Sequence, residues 1–220
     1  MVWASFGALF VSATSSLSKE YYFSRNDENK IALTFDDGPH PKQTYQILKI
    51  LEKYDIKATF FVVGINAQNY PDALKAVAKG GHEIGNHTFS HRYVKGKDAK
   101  KIKDELQKCD RAIYDICGAT PTLFRAPGGL MDEISVSNEQ AFEHYDIIYW
   151  SIDTLDWDHR PPSEIADKVL STIKSGDIVL MHDYIGHNSP TADALELIIP
   201  ELLSRGYKFV TVSELINDKN

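Results

Sequence analysis

The sequence predicts an α/β domain whose parallel strands form a (β/α) barrel of about seven strands. Three observations predict it. From Lys30 onward, short apolar runs alternate with segments of helical periodicity. Those runs are apolar throughout, which is the pattern of strands covered on both faces. Six or seven such units follow one another with no repeat, low-complexity tract or Gly/Ser linker to divide them. A doubly wound open sheet is the alternative for the same units. In both architectures ligands bind at the carboxyl ends of the strands.

The elements follow in order. Residues 1–29 are set apart as an N-terminal segment and residues 30–220 as one domain. Within the segment, VWASFGALFV (Val2 to Val11) followed by SATSSLS has the composition of a trimmed export signal or anchor. No basic stretch precedes it, and it is too short to span a bilayer. IALTF (31–35) is a strand, and TYQILKILEKY (44–54) is a helix with Ile47, Leu48, Ile50 and Leu51 on its apolar side. KATFFVVG (57–64) is a strand, DALKAVAKG (72–80) a helix stopped by glycines, and HEIGNH (82–87) a short strand. DAKKIKDELQKCDRAIYDICG (98–118) is a long amphipathic helix ending at Gly118. TLFRAP (122–127) is a strand, a weaker helical pattern lies over 136–144, and DIIYWSID (146–153) is the next strand. SEIADKVLSTIKSG (163–176) is a helix with Ser163 as N-cap and Gly176 past its end. DIVLMHD (177–183) is a strand, TADALELIIPELLSRG (191–206) a helix interrupted by Pro200, and YKFVTV (207–212) the last strand.

Bulk properties narrow the function classes. A hydrophobic content of 43% and a charged content of 25% are ordinary for a soluble globular protein. A formal charge of −7, with no basic stripe, argues against nucleic acid and anionic membrane surfaces as partners. Cys109 and Cys117 are separated by roughly 12 Å of helical rise, too far for a disulfide within one helix. No zinc-type cysteine spacing is present.

The chemistry-bearing residues follow the strands. Asp36 and Asp37 end the first. Two adjacent carboxylates at the end of an apolar run are costly to bury unless something offsets their charge, and Gly38 and Pro39 supply a turn there. After the third strand comes HTFSH, whose His87 and His91 are spaced i, i+4, so that a helical turn would aim both imidazoles at one metal. Two histidines and one aspartate form a facial ligand set with open positions. Its cation would offset Asp37 and let Asp36 stay ionised. RAPGG (Arg125 to Gly129) offers an arginine to pair with one of the aspartates, and glycines that permit close backbone approach. DTLDW supplies Asp153, Asp156 and Trp157, and IVLMHD ends on His182 and Asp183. A carboxylate on one ring nitrogen of His182 would fix its tautomer, and Asp156 is a candidate. Taken singly, each of these is common as a solvated turn, a loop histidine, a surface arginine or a core histidine. Together they supply a metal triad, a base, an acid and their orienting partners, the set needed for metal-assisted hydrolysis of an acyl bond.

TFDDGP, HTFSH, RAPGG, DTLDW and IVLMHD, in that order, resemble the five motifs of the polysaccharide deacetylases, carbohydrate esterase family four. The resemblance covers about residues 30 to 215. It implies a distorted (β/α) barrel and a divalent metal, usually zinc, with cobalt or nickel suited to the same ligands. It implies metal binding by Asp37, His87 and His91, Asp36 as general base and His182 as general acid. Arg125 would orient Asp36, and Asp156 would orient His182. Leu180 and Trp157 would line an apolar pocket for the acetyl methyl, and the backbone N–H of Gly128 would hold the oxyanion. The sequence departs from the family at Gly128, where many members carry tyrosine. Glycine keeps the N–H and loses an aromatic wall.

The implied substrate is an acetylated polysaccharide or oligosaccharide, first of all peptidoglycan or chitin-type N-acetylglucosamine. The alternatives are O-acetylated xylan or a non-catalytic glycan-binding module of the same fold. An aspartate-nucleophile phosphatase fits less well, because its carboxylates alternate and ours are adjacent. Tyr93, Trp157 and Tyr184 are candidates for stacking on sugar rings. No protein or nucleic-acid partner is expected, and the expected location is secreted or cell-surface, of bacterial type.

Overall fold

The run expected as one strand over 146–153 is broken in two, and the break closes the barrel. In a computed structural model of the chain, residues 19–24, 28–131 and 139–217 are described. The strands are β1 (Glu20–Tyr21), β2 (Lys30–Asp36), β3 (Thr59–Val62), β4 (Glu83–Asn86), β5 (Leu123–Phe124), β6 (Asp146–Ile148), β7 (Ile152–Asp153), β8 (Ile178–His182) and β9 (Lys208–Phe209). They pair in the order β1-β6-β5-β4-β3-β2-β8-β7, all in parallel, with β9 on the first residues of β2. β6 therefore lies near one flank and β7 at the other, although only Tyr149–Ser151 separates them. Three residues span about 10 Å, so the two flanks must face each other. This is the distorted (β/α) barrel, not the open sheet. Among the described residues it has nine short strands, where about seven were expected. The extra strands are β1, contributed from the N-terminal segment, and the second half of the broken run.

Helices α1 (Gln43–Lys53), α2 (Gly64–Asn69), α3 (Pro71–Lys79), α4 (Ala99–Cys117), α5 (Glu139–Phe142), α6 (Pro162–Thr172), α7 (Thr191–Ser204) and α8 (Val212–Asn217) cover the sheet. Strand alternation sorts the core. Ile31, Leu33 and Phe35 of β2 point outward and pack with Ile47 and Leu51 of α1, Ile165 and Val169 of α6, and Leu195 and Ile198 of α7. Each such side chain contributes about 1.5–3 kcal/mol on burial, and Leu33→Ala would cost about 2–5 kcal/mol. The alternate residues point into the barrel. There Ala32, Phe61, Leu123, Ile148 and Ile178 meet Val212 and Leu215 of α8, which plugs the amino end with apolar side chains. Thr34 and Asp36, further along the same face, leave the carboxyl end polar.

Several boundaries differ from expectation for identifiable reasons. α4 starts where Asp98 accepts from the Lys101 N–H at 3.0 Å and stops at Gly118, whose φ of +73° ends the helix as expected. α6 starts one residue earlier than proposed, with Pro162 at its first position, so Ser163 lies inside the first turn and is not the cap. It also ends at Thr172, before Gly176. Pro200 does not interrupt α7, because it sits on the exposed face, where water can satisfy the carbonyl it frees. The last strand is only Lys208–Phe209, after which the chain turns into α8. The weak helix over 136–144 is α5 where described, and Val2 to Val11 lies outside the described residues. Among the described residues no helix is long and apolar enough to cross a membrane. Both cysteines are free thiols.

Candidate active site

Pairing register places the first two residues of the site. Asp36 is the direct partner of His182 across β2 and β8, and Thr34 of Leu180. All four therefore share the inward face at the carboxyl end of the barrel. Asp36 is 4% exposed, so its charge needs a partner. Arg125, 0% exposed, provides one. Its Nη1 donates to Asp36 Oδ1 at 2.8 Å and to Thr34 Oγ1 at 2.7 Å. Its Nε and Nη2 donate to the carbonyls of Ile148 (3.2 Å) and Tyr149 (3.0 Å), both at the break between β6 and β7. The guanidinium also lies over the Phe61 ring at 4.1 Å. Burial lowers the pKa of Arg125 and Asp36 raises it. The same side chain thus satisfies the backbone that the strand break exposes and fixes Asp36.

Asp37 follows Asp36 directly, and in a continued strand it would face the opposite way. Its φ of +76° turns it back, a left-handed conformation that aspartate tolerates better than most residues. Its Oδ1 lies 2.9 Å from His91 Nε2 and 3.3 Å from His87 Nε2. The expected helical turn for HTFSH is absent. His87 to His91 is an irregular loop, and positive φ at Thr88 (67°) and His91 (54°) brings the two rings together. The loop's carbonyls at Thr88 and Phe89 accept from the N–H groups of Gly64 and Ile65, the unpaired donors at the start of α2. Glu105 of α4 accepts from the Ser90 N–H at 2.8 Å. Asn66 of α2 donates to the Asp37 carbonyl at 2.7 Å, so α2 ties the loop of Asp37 as well as that of His87 and His91.

These residues fit a cation. The ligand atoms of Asp37, His87 and His91 lie within 4.8 Å of one another. His87 Nδ1 lies 2.7 Å from the Arg125 carbonyl, which can only accept, so the Nδ1 carries the proton and Nε2 turns a lone pair toward Asp37. Asp37 Oδ1 is buried and accepts no hydrogen bond. Electron-rich atoms that converge in this way suit a positive charge between them.

His182 is held by Asp156, which is 0% exposed. Asp156 Oδ1 lies 2.8 Å from His182 Nδ1, and Oδ2 accepts from the His182 N–H (2.8 Å) and from Thr191 Oγ1 (2.7 Å). Among the described residues that leaves His182 Nε2 without a hydrogen-bond partner. Burial opposes the charged ring, but the Asp156 hydrogen bond and charge, with Asp36 and Asp37 beyond, push His182 up to about 9.

The remaining predicted residues are placed as follows. Leu180 is buried on β8, two residues before His182 on the same face. Trp157, on the short turn Asp156–Asp158, is half-exposed. Gly128 sits in the turn Pro127–Gly129 with φ +64°, and a Cβ there would lie 3.0 Å from the Tyr93 ring. Asp153 does not join the site; its carboxylate accepts from the Leu155 N–H. Tyr184 packs against His40, with ring centroids 4.7 Å apart.

Sequence reasoning assigned no role to Asp183, Asn86 or Thr191. Asp183 accepts from the Gly38 N–H (2.9 Å) and Thr44 Oγ1 (2.6 Å), and a Cβ at Gly38 would fall 2.1 Å from its Oδ2. It thereby fixes the turn that carries Asp37. Asn86, fully buried, accepts from the Thr88 N–H at 2.8 Å and donates to Asp110 of α4 at 2.9 Å. The only signal for Asp183 was its place beside His182.

The chain matches the family profile described as polysaccharide deacetylase over residues 24–145. It is 39% identical over 196 residues to a peptidoglycan-N-acetylglucosamine deacetylase of Bacillus cereus, covering 89% of this chain and 92% of that one. It is 35% identical to a chitooligosaccharide deacetylase of Rhizobium leguminosarum bv. trifolii, covering 83% of this chain and 89% of that one. Of some longer relatives it spans 39–41%. A crystal structure of a peptidoglycan N-acetylglucosamine deacetylase superposes with TM-score 0.86 at 33% identity, over 91% of this chain and 94% of that one. A family 4 acetyl xylan esterase from Clostridium thermocellum, solved with a cobalt ion, gives TM-score 0.79 at 33% identity, over 86% and 90% of the two chains.

Proposed function

This chain belongs to the polysaccharide deacetylase family, and from that premise we propose that it is a metal-dependent hydrolase removing acetyl groups from N-acetylglucosamine units of a glycan, peptidoglycan first. The observation that carries the reading is the convergence of Asp37, His87 and His91 on one point beside Asp36 and His182, which stand in register on neighbouring strands.

Asp37, His87 and His91 would hold the divalent ion: zinc, or cobalt or nickel, which the same donors suit. When bound, the ion supplies Lewis acidity toward the acetyl carbonyl and a more acidic water. Asp36 accepts the water's proton through Oδ2, because Oδ1 is engaged by Arg125. Arg125 holds that carboxylate in place as the water attacks the carbonyl carbon. The Gly128 N–H donates to the carbonyl oxygen as it gains charge. His182 carries its transferable proton on Nε2, since Nδ1 faces Asp156, and gives it to the departing nitrogen. Leu180 and Trp157 wall the acetyl methyl. Asp36 and His182 thus divide the base and acid roles because one is paired with a guanidinium and the other with a carboxylate.

Acetate release tests this reading. Wild type should liberate acetate from peptidoglycan or N-acetylglucosamine oligomers, and Asp36→Asn should not. Release from acetylated xylan alone would favour the esterase reading, which the likeness to the xylan esterase supports. An extracytoplasmic location is proposed with the substrate, since such a glycan lies outside the membrane.

A further inference from the structure

Beside this site lies a groove of about 590 Å³ whose lining includes His40, Lys42, His159, Arg160 and His187, with Asp193 as the one carboxylate among its described residues. Its volume is within the range of ligand sites, about 300–1,000 Å³. A chain of net charge −7 gathers cationic and imidazole groups here. We propose that this groove binds the carboxylates of an acidic glycan, so that the enzyme prefers an anionic acetylated polymer to a neutral one. The inference rests on the deacetylase reading and narrows its substrate.

Four observations support it. First, the groove adjoins the ligand set. Gly186 lines both the groove and the recess formed by Asp37, His91 and Tyr184, and Tyr184 packs on His40. A glycan seated at the metal ligands would continue into the groove.

Second, the groove is ringed by helix starts. Gln43 of α1, Pro162 of α6 and Pro190, which precedes α7, all line it. These helices are 11, 11 and 14 residues long, and their amino ends carry partial positive charge.

Third, the floor is preorganised. Gln43, 6% exposed, donates through Nε2 to the Gly186 carbonyl at 2.6 Å and accepts from the Ile185 N–H at 3.1 Å. His40 Nδ1 accepts from the Gln43 N–H at 3.1 Å, which leaves its proton on Nε2 as a donor.

Fourth, the charge of Lys42 is available. No carboxylate among the described residues lies within 4.0 Å of Lys42 Nζ. Arg160 is shared, at 3.4 Å from Asp158 and 4.0 Å from Glu164, both exposed.

The test compares acetate release from a carboxylate-bearing acetylated glycan and from the same glycan with its carboxylates amidated. Wild type should prefer the first, with the preference shrinking as salt rises. Each exposed charge pair contributes modestly, so Lys42→Ala with His187→Ala should reduce the kcat/KM ratio, anionic over neutral, by about five- to tenfold, mostly through KM. An unchanged ratio in the variant, or no preference in wild type, would overturn the proposal. If wild type releases acetate from neither glycan, the deacetylase reading fails, and equilibrium binding decides the groove. Salt-sensitive preference for the carboxylated oligosaccharide would support it, and equal binding of both forms would overturn it.

Discussion

The ring of His87 donates its Nδ1 proton to the backbone carbonyl of Arg125 across 2.7 Å, while the side chain of Arg125 holds Asp36 at 2.8 Å. One residue therefore sets the tautomer of the proposed metal-ligand histidine with its main chain and the position of the proposed base with its side chain. The two roles are separable by mutation.

Arg125→Ala keeps the carbonyl and strands a buried carboxylate. We expect stability to fall by about 3–5 kcal/mol and kcat by about a hundredfold or more, with zinc affinity changed far less. Arg125→Lys should not rescue turnover, because an ammonium cannot reach Asp36, Thr34 and two carbonyls at once. Urea unfolding, kinetics and metal titration check the three parts. A large loss of zinc affinity would contradict the separation.

Metal should be required for turnover and should stabilise the fold. Chelation should abolish acetate release, and zinc should restore it. Free zinc at a hundredfold over its Kd should add about 2.7 kcal/mol, read as a rise in Tm that His87→Ala or His91→Ala removes. Full activity after exhaustive chelation would reject the ligand assignment.

The alkaline limit of activity should belong to His182. The acid must be protonated, so the rate falls as pH rises through its pKa, lifted to about 9 without metal and somewhat lower with the cation offsetting Asp37. Asp156→Asn removes the main lifting partner and should move that limb to lower pH by a unit or more. The same linkage bears on stability. A histidine raised above its ordinary 6.5 contributes stability that is fully present below about 6.5 and is lost as pH rises toward 9. Stability measured across that window should therefore decline in wild type and stay flatter in Asp156→Asn.

Asp183 should matter as a positioning residue. Asp183→Ala leaves the Gly38 N–H and the Thr44 hydroxyl without their acceptor, at a cost of about 2–4 kcal/mol. Zinc affinity should weaken because the turn carrying Asp37 loosens. Asp183→Asn keeps one good acceptor and should recover part of both. Unchanged zinc binding in Asp183→Ala would show that the turn holds itself.

The order of strands and helices was legible because burial on both faces writes a continuous apolar run, and a helix against a sheet writes a 3.6-residue stripe. The chemical set was legible because its members close those strands. By itself, then, the sequence determined the α/β class, the residue types of the site and their place at the strands' carboxyl ends. It did not determine how they meet. The expected helical turn for His87 and His91 was wrong, because positive φ at Thr88 and His91 and the donors of α2 aim the rings instead. DIIYWSID reads as one strand, since apolar runs look alike whether or not they cross a barrel. Only the folded chain breaks it, sets β6 and β7 on opposite flanks and leaves the carbonyls that Arg125 fills. Register, which places Asp36 beside His182, and long-range caps such as Asp183 on Gly38 likewise belong to the tertiary structure. They depend on hydrogen bonds between segments 145 residues apart and more, and no local pattern in the chain encodes such a pairing.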